Sequence, residues 1–232
     1  MTTIASNLQA VRDAIATAAI AAGRHADEVT LLAVSKTFPQ YALREAYQAG
    51  QVRFAESYVQ EALDKIAALQ GLAIEWHYIG PIQSNKTRAI AEHFSWVHSV
   101  DRLKIAERLS EQRPAHLPPL QVCLQVNISG ESSKSGVLPR EAGALASGIA
   151  KLPNLKLRGL MAVPAPGGDF AAQRLPFAQL RQLRDRLNQQ GLQLDTLSMG
   201  MSHDFTAAIA EGATIVRVGT AIFGARDYGE KQ

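Results

Sequence analysis

Residues 29–36 read VTLLAVSK, and residues 39–49 read PQYALREAYQA. The first segment is a short apolar run that ends in Lys36, although lysine is among the residues least often found at a buried position. The second begins at Pro39 and is followed by Gly50, the placement of proline and glycine that is typical of a helix. Together the two segments predict one strand followed by one helix.

The same alternation of strand and helix continues along the chain of 232 residues. The strand candidates are VTLLAVSK, VRFAES, AIEWHYIG, SWVHSV, LQVCLQVNIS, LKLRGLMAV, LDTLSMG and ATIVRVG. A helix over residues 4–22 precedes the first strand, and a short helix is expected after the last. Strands that alternate with helices predict an α/β fold with a parallel sheet covered by helices.

About eight such units, without a linker, predict one TIM barrel, (β/α)8, that forms a single domain over residues 1–232. The alternative is an open, doubly wound sheet. The first strand is not followed by the glycine-rich dinucleotide motif of many such sheets, which favours the barrel. Two details of the helices are also predicted: Asp101 as the N-cap of DRLKIAERLSEQ, and a kink or a late start at Pro176 in FAAQRLPFAQLRQLRDRLNQQ.

Composition limits the classes of function. Hydrophobic residues make up 47% of the chain, enough for a sizeable core, and the formal net charge is only +3. We expect no nucleic-acid partner, because no basic run is interleaved with aromatic residues, and no membrane segment, because no apolar run is long enough. The N-terminus lacks the layout of a signal peptide. A single cysteine, Cys123, is expected to be a small core residue in a cytoplasmic protein.

In a barrel of this kind, functional residues gather at the C-terminal ends of the strands. The residues that the sequence places there are Lys36, Glu56, Ser57, His77, Asn127, Ser129, Met161, Ser198 to Ser202, and Arg217 to Thr220. The loops after the seventh and eighth strands read GMSHD and GTAIFGA. Their glycines and hydroxyls would let backbone N–H groups approach a phosphate, although ordinary tight turns would look the same.

Strand alternation places Leu32, Val34 and Lys36 on one face of the first strand. If that face points into the barrel, Lys36 reaches the barrel mouth. Desolvation there favours the neutral amine, a nucleophile that can form a Schiff base. The alternative, which periodicity alone favours, is a lysine that extends to solvent from a strand end.

Arg217 lies between two valines that we expect to face the helices, so its own side chain should point into the barrel. A buried arginine needs an acceptor, and either a core carboxylate or a ligand atom would serve. His77 offers the same two interpretations, of which a hydrogen-bonded core histidine is favoured.

The chain resembles the pyridoxal 5′-phosphate (PLP) homeostasis family, also called the YggS or PROSC family, nearly from end to end. The segments that carry the resemblance are LLAVSKTF, FAESYVQEALDKI, WHYIGPIQSNK, VNISGESSKSGV, LRGLMAVP and LSMGMSHDFTAAIAEGATIVRVGTAIFGARDY. The resemblance implies a barrel like the N-terminal domain of alanine racemase and other fold-type III PLP proteins, without the C-terminal β-domain of the racemases.

The resemblance also implies a cofactor site. Lys36 would hold PLP as a Schiff base, Arg217 would face the pyridine nitrogen, and the phosphate would bind at Ser202, Gly219 and Thr220. The expected cofactor-binding set is completed by Ser57, His77 and Met201, and no catalytic residue or metal ligand is expected.

The chain departs from the family pattern in one segment. The family usually has Gly-Glu-Asn where this chain has Ala55-Glu56-Ser57. Serine is shorter than asparagine, so Ser57 would contact the cofactor through water or not at all, and Ala55 would need a backbone conformation that glycine adopts more freely. Lys134 matches a second family lysine and is left outside the primary site.

The function implied is PLP binding in vitamin B6 homeostasis, with delivery of PLP to apo-enzymes as a further expectation and with the chain a monomer. A PLP-dependent amino-acid racemase is the alternative. A racemase needs acid–base groups on both faces of the substrate carbon, and beyond Lys36 only Tyr58 or His77 is available, each with a better structural explanation. We therefore expect a binding protein, not an enzyme. A sugar-phosphate barrel enzyme without PLP would leave Lys36 and Arg217 less well explained.

Overall fold

The strands form one closed parallel barrel in the order β1 to β8, and the first strand pairs with the last. A computed structural model describes residues 3–131, 134–165 and 167–225. The closed barrel confirms the predicted fold class and rules out the open sheet. Within the described residues, no helix has the length and apolar character needed to cross a bilayer.

The elements follow the predicted alternation. The strands are β1 (Thr30–Val34), β2 (Arg53–Glu56), β3 (Glu75–Tyr78), β4 (Trp96–Val100), β5 (Leu120–Gln125), β6 (Leu155–Met161), β7 (Thr196–Ser198) and β8 (Ile215–Val218). The α-helices are α1 (Ile4–Ala21), α2 (Gln40–Gln48), α3 (Val59–Ala68), α4 (Thr87–His93), α5 (Leu103–Gln112), α6 (Ala142–Ile149), α7 (Phe170–Gln189), α8 (Phe205–Ala210) and α9 (Thr220–Phe223). Short 3-10 turns at Ala26–Glu28 and Ser84–Lys86 precede β1 and α4.

The main hydrophobic core lies between the barrel and its helices. Outward-facing strand residues such as Phe54 and Val216 are fully buried there against helix residues such as Leu43 and Ile90. A second, small apolar cluster of Leu32, Val34, Ala55 and Ile215 belongs to the barrel interior. The alternation of side chains along each strand separates the two groups.

Two predictions about the helices are wrong in detail. The N-cap of α5 is Arg102, one residue later than predicted, and Asp101 instead pairs with the Arg102 guanidinium at 2.7 Å. The late start of α7 is wrong, because the helix begins before Pro176, at Phe170, and runs through the proline to Gln189, while the kink at Pro176 stays a prediction. Its early start has a local cause, because the Asp169 side chain accepts a hydrogen bond from the Ala172 amide and caps the helix.

Candidate functional site

A cavity of about 300 Å³ opens at the C-terminal ends of the strands. Seven of the eight predicted cofactor-binding residues line it, namely Lys36, Ser57, Met201, Ser202, Arg217, Gly219 and Thr220. The other lining residues are Val34, Ile79, Met161, Val163 and His203. The barrel therefore brings Lys36 to the same cavity as residues more than 160 positions later in the chain, because β1 and β8 are neighbours.

Lys36 lies just beyond the end of β1 and is half-buried. The next residue, Thr37, has a φ of +70°, a left-handed conformation that is uncommon for a β-branched residue. Its amide donates a hydrogen bond of 2.6 Å to Glu61 Oε1. On the other side of Lys36, the Ser35 carbonyl accepts a hydrogen bond of 2.8 Å from Lys65 Nζ. Helix α3 thus holds the backbone on both sides of Lys36.

Ser57 reaches the cavity from the end of β2, beside Gly80. A Cβ on Gly80 would lie 2.1 Å from the Ser57 carbonyl oxygen, so only glycine allows the two backbones to approach this closely. The expected strain at Ala55 is wrong. Ala55 lies in the regular strand β2, paired with Val34 and His77, and has no positive φ.

The loop after β7 is folded by Asp204. Its carboxylate accepts a hydrogen bond of 2.6 Å from the Met201 amide. Asp204 occupies the N-cap position of α8, but its side chain makes no capping bond there. Gly200 has a φ of +94°, and a Cβ there would lie 2.7 Å from the Cβ of Ala208. These constraints hold Ser202 against the cavity.

The loop after β8 packs directly on β1. A Cβ on Gly219 would lie 3.0 Å from the carbonyl oxygen of Val34, so this glycine allows the loop to lie close to the strand that carries Lys36. Thr220 starts α9, and its amide is one of the first-turn donors that a helix leaves without an internal partner. Hydroxyls from Ser202 and Thr220 therefore meet at this side of the cavity.

Arg217 is 4% exposed and points into the barrel, as the flanking valines predicted. Its Nη1 donates to the carbonyl oxygen of Ser198 at 2.6 Å and to Ser198 Oγ at 2.8 Å, and its Nη2 donates to the Ala162 carbonyl at 2.9 Å. Burial lowers the pKa of Arg217 to about 10, and the charge of Asp204 opposes that shift. The guanidinium therefore stays a cation at neutral pH, held by neutral oxygens.

His77 does not line the cavity, so the predicted direct contact is corrected. The ring is 1% exposed, and its Nε2 lies 2.8 Å from Glu75 Oε1, while its Nδ1 lies 2.9 Å from His98 Nε2. Desolvation lowers the pKa of His77, against the opposing effect of Glu75. The structure thus supports the interpretation of a hydrogen-bonded core histidine.

Other strand-end residues have structural partners outside the cavity. Glu56 is fully buried and lies 2.7 Å from Lys65 Nζ. Asn127 donates hydrogen bonds to the carbonyls of Glu131 and Lys134 and so shapes the loop after β5. Residues 132–133 of that loop and residues 226–232, which include the end of the FGARDY segment, lie outside the described residues.

Sequence reasoning found only part of the apolar wall of the cavity. It placed Val34 on the face of Lys36 and Met161 at a strand end, but it missed Ile79, which a two-residue period from His77 could have indicated. Val163 and His203 lie in loops, where no period applies. Cys123 is a fully buried core residue as predicted, and burial raises the pKa of its thiol to about 12.

The barrel and the lysine at the end of its first strand define the class of this protein, the alanine racemase N-terminal domain family, whose model matches residues 4–227. Solved structures agree on the fold. The alanine racemase of Corynebacterium glutamicum superposes with a TM-score of 0.70 at 18% identity, and the match covers 99% of this chain but 62% of the racemase. At that identity the likeness concerns the fold alone.

More similar relatives narrow the assignment. The chain is 65% identical to the pyridoxal phosphate homeostasis protein of Pseudomonas aeruginosa, over 99% of this chain and 98% of the relative. It is 55% identical to the protein of that name from Escherichia coli, over the full length of both. PipY of Synechococcus elongatus, solved with PLP bound, matches 96% of this chain and all of its own, with a TM-score of 0.84 and 40% identity. The chain belongs to the family of pyridoxal phosphate homeostasis proteins.

Proposed function

We propose that this protein binds PLP in the cavity at the barrel mouth and acts in PLP homeostasis. The observation that carries the proposal is the meeting of Lys36, Arg217 and two hydroxyl-bearing loops in one cavity. Relatives at 55–65% identity over nearly the whole chain are named for PLP homeostasis, and PipY has been solved with PLP bound.

The chemistry of the cavity fits PLP. Its volume of about 300 Å³ lies at the lower end of the range for small-ligand sites, about 300–1,000 Å³. Val34, Ile79 and Met161 offer apolar contacts for a flat ring, while Ser202 and Thr220 offer donors for a phosphate. The amine, the cation, the apolar wall and the phosphate donors each match one part of PLP: the aldehyde, the pyridine nitrogen, the ring and the phosphate.

The residues take separate roles in this proposal. Lys36 would hold the aldehyde carbon through a C=N bond from Nζ, with loss of the aldehyde oxygen as water, and hydrolysis would reverse the bond. The phosphate would be held by Ser202, Gly219 and Thr220, with Met201 and Ser57 completing the lining. When bound, PLP supplies a reactive aldehyde and an electron-withdrawing ring. Arg217, a donor only, would face the pyridine nitrogen and keep it unprotonated, which weakens the ring as an electron sink.

We further propose that the protein is a carrier and not an enzyme, and that it can pass PLP to apo-enzymes. Reversibility at Lys36 and an opening to solvent suit storage and release. A racemase-like activity is the second candidate, and the observation that favours it is His203, an ionisable side chain in the lining besides Lys36 and Arg217. Tyr58, the other acid–base candidate, is 56% exposed and is not part of the lining.

The test of PLP binding is the visible spectrum of the purified protein, followed by borohydride reduction and peptide mapping. We expect a visible absorption band and a pyridoxyl label on Lys36. Lys36→Ala should be colourless while Lys104→Ala, which removes an exposed lysine of α5, should keep the band. A visible band of undiminished intensity in a folded Lys36→Ala would falsify the assignment of Lys36.

The test of the racemase candidate is chiral analysis after incubation of the PLP-loaded protein with L- or D-alanine. The carrier proposal predicts no interconversion at ordinary enzymatic rates, which are about 1–1,000 per second. Turnover in that range that is lost in His203→Ala would instead establish the racemase. Delivery is tested separately, by the rate at which an added apo-enzyme gains activity from the loaded protein in the presence of a scavenger of free PLP.

A further inference from the structure

A continuous hydrogen-bonded chain of side chains crosses the barrel interior and ends at Arg217. It runs from Glu75 Oε1 to His77 Nε2 at 2.8 Å and from His77 Nδ1 to His98 Nε2 at 2.9 Å. It continues from His98 Nδ1 to Ser198 Oγ at 2.8 Å and from Ser198 Oγ to Arg217 Nη1 at 2.8 Å. We call these five residues, contributed by β3, β4, β7 and β8, the interior relay.

The interior relay connects two different ends of the barrel. Its three middle members, His77, His98 and Ser198, are at most 1% exposed. Glu75 is the first residue of β3, at the end of the barrel opposite the cavity, and its side chain is 39% exposed. Arg217 lines the cavity. The relay is therefore shielded from water along its middle and meets solvent at Glu75.

With both imidazoles neutral, the two ends allow only one arrangement of protons. A guanidinium has donors only, so Ser198 Oγ must accept from Arg217. Glu75 also pairs with Arg53 at 3.1 Å, and the hydrogen bond from His77 holds its pKa below the usual range, so its carboxylate only accepts. A neutral imidazole has one donor and one acceptor nitrogen.

It follows that His77 donates from Nε2 to Glu75 and accepts at Nδ1 from His98. His98 donates from Nε2 and accepts at Nδ1 the hydroxyl proton of Ser198. Every member then donates in the same direction along the relay, and no proton is missing or in excess. A protonated His77 would donate from both nitrogens and would require the Nδ1–H form of His98, so that Ser198 Oγ would accept from both His98 and Arg217 and its own proton would have no acceptor in the relay. A protonated His98 would likewise donate from Nδ1 and displace the Ser198 proton from the relay.

Burial keeps both rings neutral. Desolvation lowers the pKa of His98 well below its usual value, and the positive charge of Arg217 acts in the same direction, as would His77 if it were protonated. Arg53 acts likewise on His77. Arg158 also lies nearby, with its guanidinium 4.9 Å from the centre of the Trp96 ring that stacks on His77, and it is paired with Asp195 at 2.8 Å. Glu75 is the group that opposes these cations.

We propose that His98 and His77 are positioning residues for Arg217. Because His98 accepts the hydrogen bond of the Ser198 hydroxyl, the lone pairs of Ser198 Oγ point toward the Arg217 guanidinium and hold the guanidinium at the cavity. This proposal uses the cavity assigned under the proposed function, but the relay itself exists without a ligand. The two ideas can therefore fail independently.

The first test is nitrogen NMR of the uniformly labelled, ligand-free protein, which reports the tautomer of each imidazole. We expect two rings in the neutral Nε2–H form, both unchanged between about pH 8 and pH 5.5, a range that would titrate an ordinary histidine. A relay histidine in the Nδ1–H form, or one that titrates within this range, overturns the proposal. PLP binding does not enter this result.

The second test compares Ser198→Ala with Ser198→Thr, which keeps the hydroxyl, and with Ser110→Ala, which removes a buried hydroxyl of α5 far from the relay. We expect Ser198→Ala to show a mixed His98 tautomer and to weaken PLP retention about tenfold or more, the size expected for a hydrogen bond to a charged group. Ser198→Thr should restore both properties, and Ser110→Ala should change neither.

An unchanged His98 tautomer in folded Ser198→Ala overturns the relay. A mixed His98 tautomer with unchanged PLP retention in that variant overturns the positioning role, whereas absence of PLP binding by the wild type would overturn only the proposed function.

Discussion

Lys65 Nζ lies 2.7 Å from Glu56 Oε1 in the interior beside the first two strands, and the two side chains are 6% and 0% exposed. The same ammonium donates to the Ser35 carbonyl and to Glu61 Oε1, at 2.8 Å and 2.6 Å. Glu61 in turn accepts from the Thr37 amide. This buried ion pair therefore supports the backbone that presents Lys36.

Lys65→Met should destabilise the protein by about 3–5 kcal/mol, because it leaves the Glu56 carboxylate buried without its cation. The free energy of unfolding in urea measures the effect, with Lys151→Met, an exposed lysine, as the control. The loss should depend on pH. Desolvation raises the pKa of Glu56 and Lys65 opposes that shift, so the variant protonates Glu56 at a higher pH.

A carboxyl whose folded pKa is raised costs stability as pH rises from its unfolded value through the folded one. The deficit of Lys65→Met should therefore be largest at high pH and shrink toward acid pH. The double variant Lys65→Met with Glu56→Gln should recover part of the loss. If Lys65→Met lowers the free energy of unfolding by less than 1 kcal/mol at pH 8, the ion pair contributes little to the stability of the fold.

The two buried histidines of the interior relay predict a loss of stability on the acid side. Their folded pKa values are lowered from 6.5, so the unfolded chain binds more protons below that pH. Stability should be fully present above about pH 6.5 and decline as pH falls, by up to about 1.4 kcal/mol per pH unit for each ring. Urea unfolding between pH 7 and pH 5.5 measures the slope. His98→Gln should reduce the slope of stability against pH, whereas His116→Gln, at an exposed site, should leave the slope unchanged. Equal slopes in the wild type and in His98→Gln would refute the assignment of the acid loss to the relay histidines.

Gly159→Ala should prevent stable folding. A Cβ there would lie 1.8 Å from the Thr196 carbonyl oxygen, where β6 pairs with β7, and backbone on both sides cannot yield. Gly143→Ala is the matched control, because its Cβ would make ordinary contacts with a Leu187 methyl at 3.5 Å and with Gln190 Oε1 at 3.8 Å. It lies in helix α6, where alanine gains about 1 kcal/mol over glycine. Thermal unfolding of the two variants separates the effects. A Gly159→Ala protein that melts within a few degrees of wild type would contradict the geometry.

Combined replacement of Ser202 by Ala and of Thr220 by Val should weaken PLP retention about tenfold or more without loss of folding, because it removes two donors for a doubly charged phosphate. Equilibrium dialysis with the visible band as readout measures the affinity. Thr17→Val, at an exposed position of α1, is the control. Retention equal to that of the control would remove these loops from the phosphate site.

The sequence predicts the barrel well, because eight apolar runs and their turn residues are local features. It also predicts the direction of Arg217, since the flanking valines and strand alternation suffice. Glu75 lies two positions before His77 on the same face of the strand, but the link to His98 and Ser198 was beyond sequence reasoning, because His98 lies 21 positions from His77 and Ser198 lies 100 positions beyond His98. The N-cap of α5 was misplaced by one residue, because the Asp101 carboxylate pairs with the Arg102 guanidinium.

The seam where β1 meets β8 has a consequence for biosynthesis. Leu32 is the register partner of Arg217, so the amine and the cation of the cavity come from the first and the last strand of the chain. A nascent chain on the ribosome would have Lys36 early but would have no complete pocket until β8 had emerged and closed against β1. PLP would then bind only after the barrel has closed, and a ligand that contacts both β1 and β8 would stabilise the closed barrel against opening at this seam.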